Sequence, residues 1–242
     1  DSYARIKSLL DAPVVKEPVR PRTPRCFDVS FDLVSFSYER DEFAMRDISF
    51  TVPERTMTAL VGESGSGKTT AIHLLLRFWD VAAGAIRIGG VDIRDMSYDE
   101  LLGSVSIVMQ NVQLFADSIE GNIRIGKDGA TRDEVIEAAR RARIHDFIMS
   151  LPDGYATPVG EAGIKLSGGE RQRIALARTI LKDAPIVVFD EATAYADAEN
   201  EHKIKKTFSQ LLKNKTVIMI AHRLSSIVNA DQICVINEGK IA

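Results

Sequence analysis

The chain has 242 residues, and its 34 acidic and 31 basic side chains give a formal charge of −3. A hydrophobic share of 45% and a charged share of 27% are ordinary for a soluble globular protein, and the length suffices for one large α/β domain or two small ones. The near-neutral balance excludes a polycationic nucleic-acid-binding tail, so no nucleic-acid partner is expected.

The sequence contains neither a membrane span nor a metal-type cysteine pattern. No apolar run approaches the ~18 residues needed to cross a bilayer, and residues 1–25 lack the apolar core of a signal peptide. Cys26 and Cys234 lie far apart in the chain, without the paired spacing of a metal site or a small disulfide scaffold. We expect two reduced thiols in a cytosolic compartment.

Residues 1–27 are predicted to be a helix tail followed by an extended linker. Tyr3, Ile6 and Leu10 keep the i, i+3, i+7 spacing of a helix. Four prolines follow between positions 13 and 24, and they predict an extended segment because proline lacks an amide donor and disfavours helix before it. Since the first residue is Asp rather than Met, we expect a fragment of a longer protein.

Short alternating or β-branched runs predict the strands of an α/β fold. The first two runs alternate and predict an antiparallel pair, whereas the last two are typical of buried parallel strands. The predicted strands lie at 31–38, 47–52, 57–61, 85–88, 106–109, 186–189 and 216–220. A helix is predicted to follow the third strand, and the pattern from about 112 to 182 is helical, with Thr131 and Glu134 as a capping box.

The segment after the third predicted strand matches the phosphate-binding pattern G-x-x-x-x-G-K-[ST]. Its glycines let consecutive backbone amides wrap around phosphate oxygens, and the next helix adds the positive end of its dipole. Lys68 is expected to reach the β- and γ-phosphates and Thr69 to give a hydroxyl to Mg²⁺. The alternative is a plain Gly-rich turn, which the strand and helix context disfavours. The predicted nucleotide-binding residues here are Gly62, Glu63, Ser64, Gly65, Ser66, Gly67, Lys68, Thr69 and Thr70.

Two carboxylates, Asp190 and Glu191, come directly after the predicted strand at 186–189. Asp190 is placed to hold Mg²⁺ through water, and Glu191 to polarise a water aimed at the γ-phosphate. The alternative, a surface acidic pair, is disfavoured beside a phosphate-binding loop. A phosphate-binding loop alone leaves kinases, GTPases, helicases and transporters open.

The segment Leu-Ser-Gly-Gly-Glu at 166–170 separates these classes. Ser167 and the amides of Gly168 and Gly169 open a predicted helix, which makes a second anion-binding N-terminus. Because one nucleotide has only one γ-phosphate, either two nucleotides bind, or two copies pair head to tail around shared nucleotides. Spacing does not decide between these arrangements.

Over residues 28–242 the sequence resembles the nucleotide-binding domain of an ATP-binding cassette (ABC) transporter, whose signature motif is this segment. The resemblance implies an α/β P-loop NTPase (RecA-like) core with a parallel sheet, an N-terminal antiparallel β subdomain and an inserted α-helical subdomain at about 112–175. It implies ATP and Mg²⁺ as ligands. The signature residues, acting on the nucleotide of a second copy, would be Leu166, Ser167, Gly168, Gly169 and Glu170.

The resemblance also assigns isolated residues. Tyr38 matches the aromatic that stacks on adenine, Gln110 the glutamine after a core strand, Asp197 the D-loop aspartate and His222 the γ-phosphate histidine. Taken alone, Tyr38 would be a core aromatic and His222 a satisfied strand-end histidine, but the constellation favours the functional roles. The predicted metal ligands are Thr69, Gln110 and Asp190, and the predicted catalytic residues are Gln110, Glu191 and His222.

Two segments resemble those of exporter-type half-transporters. Residues 157–161 resemble the extra loop of exporter cassettes, and the Pro-rich linker resembles the join to a fused upstream transmembrane domain. The implied partners are that domain and a second cassette at the cytoplasmic face of a membrane. Residues 194–197, Ala-Tyr-Ala-Asp, depart from the usual Ser-Ala-Leu-Asp, and a similar variant occurs among siderophore-related half-transporters. Tyr195 leaves the packing across the dimer open, and cargo, direction and homo- or heterodimerisation are not encoded in these residues.

Three other classes of protein share some of these motifs. A DNA-repair ATPase would insert a long coiled coil between Thr70 and Leu166, and a soluble translation factor would carry two cassettes on one chain. A non-catalytic module would lack the base at Glu191 or the histidine at His222. We therefore expect an ATPase that powers transport through head-to-tail dimerisation of two cassettes.

Overall fold

A six-stranded sheet forms the centre of the computed structural model, which describes residues 7, 16–39, 42–109, 111–159, 166–190, 213–221 and 227–242. The strands are β1 (Val29–Glu39), β2 (Glu42–Val52), β3 (Met57–Val61), β4 (Ala83–Ile88), β5 (Val91–Asp92), β6 (Val105–Val108), β7 (Asp117–Ser118), β8 (Pro158–Val159), β9 (Ile186–Asp190), β10 (Thr216–Ile220), β11 (Gln232–Asn237) and β12 (Lys240–Ile241). The helices are α1 (Lys68–Leu75), α2 (Tyr98–Ser104), α3 (Ile119–Arg124), α4 (Arg132–Arg141), α5 (His145–Ser150) and α6 (Gly168–Lys182).

The central sheet has the order β12-β11-β3-β10-β9-β6, in which β12 is antiparallel and the other five strands are parallel. This confirms the predicted parallel core, although β6 ends at Val108 rather than at Met109. Parallel strands point their carboxyl ends to one edge, where open α/β sheets bind ligands. The segments that follow β3, β6 and β9 therefore start at the same edge.

A second, antiparallel sheet has the order β2-β1-β4-β5 and confirms the predicted N-terminal β subdomain. Its buried side chains form one core with α1 and one face of the central sheet, to which β9 contributes Ile186 and Val188. Val187 and Phe189, on the opposite face of β9, pack in a second core with α3, α4 and α6. The period-2 alternation of strand side chains thus lets one short strand serve both cores.

The region between β6 and β9 carries helices α3 to α6, as expected for the inserted helical subdomain. The Thr131–Glu134 capping box at α4 is confirmed. The uniform helical pattern predicted from 112 to 182 is wrong at β7 and β8, which pair antiparallel. Two residues per strand are too few to produce a period-2 signal. None of the helices within the described ranges is long and apolar enough to cross a membrane.

The Pro-rich linker lies against the antiparallel sheet region. Its described part, from residue 16, contains neither helix nor strand up to β1, and the Arg22 amide donates to the Asp95 carbonyl at 2.8 Å. Pro24 is buried. The predicted helix tail at Tyr3, Ile6 and Leu10 lies outside the described residues.

Candidate nucleotide site

The phosphate-binding loop connects β3 to α1, as the motif predicts. Gly62 has a φ of 153°, and a Cβ added there would lie 2.0 Å from the carbonyl oxygen of Ile236 on the neighbouring β11. Gly67 caps α1 with a φ of 108°, in the range that favours glycine. Gly62 therefore lets the loop approach the sheet, and Gly67 lets the chain turn into the helix.

Lys68 is 4% exposed and bends back over its own loop. Its Nζ donates to the carbonyl oxygens of Gly62 at 2.9 Å and Glu63 at 2.7 Å, and to Oγ of Ser66 at 3.3 Å. The Lys68 ammonium and the backbone amides of the loop together form a compact positive site for a polyphosphate. The next residue, Thr69, is exposed at the start of α1, so its hydroxyl is accessible.

Tyr38 lies near the end of β1 and is 51% exposed, so it is not the core aromatic of the alternative assignment. Its ring meets Phe36 and Trp79 edge to face, with centroids 4.8 and 5.2 Å away. Its hydroxyl lies 3.2 Å from Oγ1 of Thr70 on α1. These contacts fix the ring beside the phosphate-binding loop while leaving half of its surface available.

Asp190 is the last residue of β9 and lies at the same sheet edge as the phosphate-binding loop. Ile220 of β10 pairs with Asp190 on one side and with Leu60 of β3 on the other. Two strand spacings, about 10 Å, therefore separate Asp190 from the strand that delivers the loop. The sheet thus brings together Asp190 and the phosphate-binding loop, which are far apart in the sequence.

The signature segment opens α6 through a reciprocal capping box. The Ser167 amide donates to Oε2 of Glu170 at 2.6 Å, and the Glu170 amide donates to Oγ of Ser167 at 3.3 Å. Leu166 is buried, whereas Ser167 is exposed and Gly168 and Gly169 are half-buried. The Glu170 carboxylate thus orients the N-terminus of its own helix. The Ser-x-x-Glu spacing is the sequence signal of this capping box, and the reciprocal bond from Glu170 was not predicted.

Four predicted site residues, Gln110, Glu191, Asp197 and His222, lie outside the described residues, as does Tyr195. Of residues 157–161, which resemble an exporter-type loop, the structure describes only Thr157, Pro158 and Val159, the last two of which form β8.

The C-terminal hairpin supports the phosphate-binding loop and was not predicted. Strands β11 and β12 flank a turn at Glu238 and Gly239, and the Gly239 amide donates to the Ser66 carbonyl at 3.1 Å. The Gly239 carbonyl accepts from the Arg46 amide at 2.8 Å. The sequence signal was the polar Asn-Glu-Gly turn after the apolar run at 233–236.

Comparisons with known proteins place this arrangement in a family. Residues 45–194 match the family model described as ABC transporter. Among curated relatives, ABC transporter aclQ of Aspergillus oryzae is 50% identical over 213 residues, which cover 88% of this chain and 26% of that protein. The ATP-dependent lipid A-core flippase of Legionella pneumophila is 44% identical over 241 residues, which cover 97% of this chain and 40% of that protein.

A solved structure shows the same fold. The structure of a bacterial Atm1-family ABC exporter with ATP bound superposes with a TM-score of 0.93 at 44% identity, covering 99% of this chain and 42% of that one. The chain thus spans less than half the length of these relatives. Family model, relatives and structure agree on a transport-type cassette rather than a DNA-repair ATPase. The chain belongs to the ABC transporter family, as an ATP-binding and ATP-hydrolysing domain of the exporter type.

Proposed function

We propose that this chain binds ATP between its own phosphate-binding loop and the signature helix of a second cassette, and that hydrolysis of this ATP powers export through a joined membrane domain. The observation that carries the proposal is the position of Lys68, which three oxygens of its own loop hold at the sheet edge that also carries Asp190. The exposed, capped start of α6 supplies the second phosphate-binding surface.

In this proposal the ATP phosphates lie in the loop of Gly62 to Thr69, with Lys68 on the β- and γ-phosphates. The backbone amides and the N-terminal end of α1 offer donors and a positive dipole end to these charges. The half-exposed ring of Tyr38 stacks on adenine, a position supported by its contacts with Trp79 and Thr70.

The residues around the γ-phosphate would carry the hydrolysis. Glu191 accepts the proton of the attacking water, while Gln110 and His222 orient the water and the phosphate. The Thr69 hydroxyl and the Asp190 carboxylate, with Gln110, form a set of hard oxygen donors of the kind that suits Mg²⁺. When bound, Mg²⁺ would supply positive charge to the β- and γ-phosphate oxygens.

In this proposal two cassettes share each nucleotide, because the loop of one chain and the signature of another bind the same γ-phosphate. Ser167 and Gly169 of one copy would donate to the γ-phosphate held by Lys68 of the other, and Asp197 would lie at the interface. ATP then favours the closed dimer because it is bonded from both sides, and hydrolysis removes that bridge.

The membrane partner is proposed from the lengths of the relatives and from the linker. Residues 1–27 would join the cassette to an upstream transmembrane domain, which places the cassette at the cytoplasmic face of a membrane. Three of the relatives are named as transporter, export and flippase proteins, and the matching part makes up 26%, 37% and 40% of their lengths.

Replacement of Glu191 by Gln tests the hydrolytic part of the proposal. Glu191→Gln is expected to keep ATP binding but to lose most turnover, because the amide does not accept a proton from the water. Steady-state phosphate release and equilibrium ATP binding are measured side by side, with the exposed Glu137→Gln on α4 as the matched control. Hydrolysis by Glu191→Gln at the wild-type rate would refute the assignment of Glu191 as the base.

A further inference from the structure

Arg178 of α6 is a partly buried cation whose partners are all neutral oxygens. Its Nε donates to the Asn122 carbonyl at 2.7 Å, its Nη2 to Oδ1 of Asn122 at 2.6 Å and its Nη1 to the Gln113 carbonyl at 2.9 Å. Within the described residues it has no carboxylate partner, and burial lowers the pKa of its guanidinium. A desolvated charge without a counter-charge requires such well-directed acceptors, so its position is tightly defined.

Asn122 completes this arrangement from α3. Its side chain is fully buried, its Nδ2 donates to the carbonyls of Phe115 and Ser118 at 3.1 and 3.0 Å, and its Oδ1 accepts from the Phe115 amide at 2.9 Å. The Arg178 guanidinium also lies over the Phe115 ring, 5.9 Å from its centroid. We name the set of Gln113, Phe115, Asn122 and Arg178 the clamp.

The clamp joins two parts of the site that are distant in sequence. On one side, the segment that it holds follows β6 and begins at the sheet edge, where Val108 pairs with Phe189 beside Asp190. Gln110 lies in the chain between Val108 and the clamped Gln113. On the other side, Arg178 belongs to the helix that Ser167 caps, about 15 Å along the axis from its start.

We propose that Arg178 is a positioning residue for hydrolysis, which ties the segment carrying Gln110 to the signature helix so that both meet the shared nucleotides together. The inference rests on the proposed function and adds a requirement to it. Without Arg178 the two parts move separately, and the closed arrangement of two cassettes is populated less. Binding of ATP to the loop of a single chain does not depend on the clamp, because no clamp residue belongs to that loop.

Lys182 provides a matched control on the same helix. Its Nζ also donates to two backbone carbonyls, those of Leu102 at 2.7 Å and Val105 at 2.8 Å, and burial also lowers its pKa. These acceptors belong to α2 and β6, on the sheet side of the helix. Lys182→Met therefore removes a comparable buried cation and leaves the clamp intact.

The test compares Arg178→Met with Lys182→Met in the 242-residue chain. For Arg178→Met we expect kcat to fall on the order of tenfold or more, since small misplacements of catalytic groups cost such factors. We expect the protein concentration for half-maximal specific activity to rise. ATP affinity, measured at protein concentrations too low for dimerisation, should stay within twofold of wild type. Lys182→Met should lower the melting temperature by a similar amount yet keep kcat within twofold.

Three results would overturn the inference: an unchanged kcat in Arg178→Met, an equal loss of kcat in Lys182→Met, or a parallel loss of single-chain ATP affinity. If Arg178→Met does not fold, Arg178→Lys carries the same test, because an ammonium keeps the charge but does not reproduce the guanidinium fork. A wild-type chain that binds ATP without hydrolysing it would contradict the proposed function itself. A loss confined to Arg178→Met, with wild-type and Lys182→Met activity intact, supports both.

Discussion

Tyr38 illustrates how neighbouring residues determine the role of a single side chain. An aromatic residue near a strand end is ordinarily part of a core, yet here half of the ring is exposed. Trp79, which follows α1, and Phe36 hold it edge to face, and Thr70 pairs with its hydroxyl. The ring is thus fixed by its edge and its hydroxyl, and this leaves surface for a flat ligand.

Removal of this ring is expected to weaken nucleotide binding. Tyr38→Ala should lower ATP affinity by about 1–3 kcal/mol, as for comparable base–aromatic stacking, and leave the choice between ATP and GTP little changed. Tyr38→Phe is the control, since it loses the contact with Thr70 but keeps the ring. Titration with a fluorescent ATP analogue measures both variants. Equal affinities for wild type and Tyr38→Ala would remove Tyr38 from the site.

Gly62 is required by close packing between the phosphate-binding loop and β11. Gly62→Ala is expected to destabilise the chain by about 2–4 kcal/mol, because the new Cβ would overlap the Ile236 carbonyl. Gly103→Ala on α2 is the matched control: its Cβ meets nothing within 4 Å, so the change should be neutral or stabilising by about 0.5–1 kcal/mol. Urea denaturation distinguishes the two, and equal stabilities would contradict the packing argument.

At the scale of elements, the capping box of α4 couples helix stability to pH. Glu134 accepts from Lys127 Nζ and from the Thr131 amide, and these bonds lower the pKa of its carboxyl from 4.5 to about 2. A carboxyl whose pKa is lower in the folded state stabilises the fold at pH values above 4.5. This stabilisation is lost as the pH falls toward 2.

Glu134→Gln should therefore melt at a lower temperature than wild type at neutral pH, with the difference shrinking as the pH falls below 4.5 and vanishing near 2. Thermal melts across this range test the expectation, with the exposed Glu137→Gln on the same helix as the control. A difference between wild type and Glu134→Gln that is constant with pH would show that the carboxylate charge is not what stabilises the helix.

Elements with a local signal could be predicted from the sequence, and those defined by distant contacts could not. The buried parallel strands were predicted from their β-branched runs. The Thr131–Glu134 capping box was predicted from the spacing of its two residues. Strands β7 and β8 exist only because Asp117 and Val159 meet across the fold. The hydrogen bond between Arg178 and Asn122 likewise joins residues 56 positions apart, and no periodic pattern in the sequence indicates it.

The site followed the same division. Lys68, Thr69 and Asp190 were predicted as site residues because each belongs to a motif whose residue types suit phosphate or Mg²⁺ binding. The fold places them at one sheet edge. The support of the loop by Gly239 was missed, because a hydrogen bond to the Ser66 carbonyl is a property of backbone geometry and not of residue type.

At the scale of the whole molecule, the proposed function assigns the two phosphate-binding surfaces of the chain to two different nucleotide sites. The loop at Lys68 belongs to the sheet core, whereas the exposed Ser167 starts a helix that packs with the helical subdomain. If one γ-phosphate is bonded by both kinds of surface, as we propose, two copies arranged head to tail are the working unit. Activity then depends on an association between two chains, which is a bimolecular step.

Specific ATPase activity measured across a wide dilution series tests this claim most directly. The rate per mole of chain should rise with protein concentration and level off once the dimer saturates. Ser167→Arg should stay near background at every concentration, because its signature helix no longer accepts the nucleotide of the partner. The contrary result is a wild-type rate per mole that is already high at concentrations far below any dimerisation constant and does not change as the concentration rises. That result would contradict the shared site.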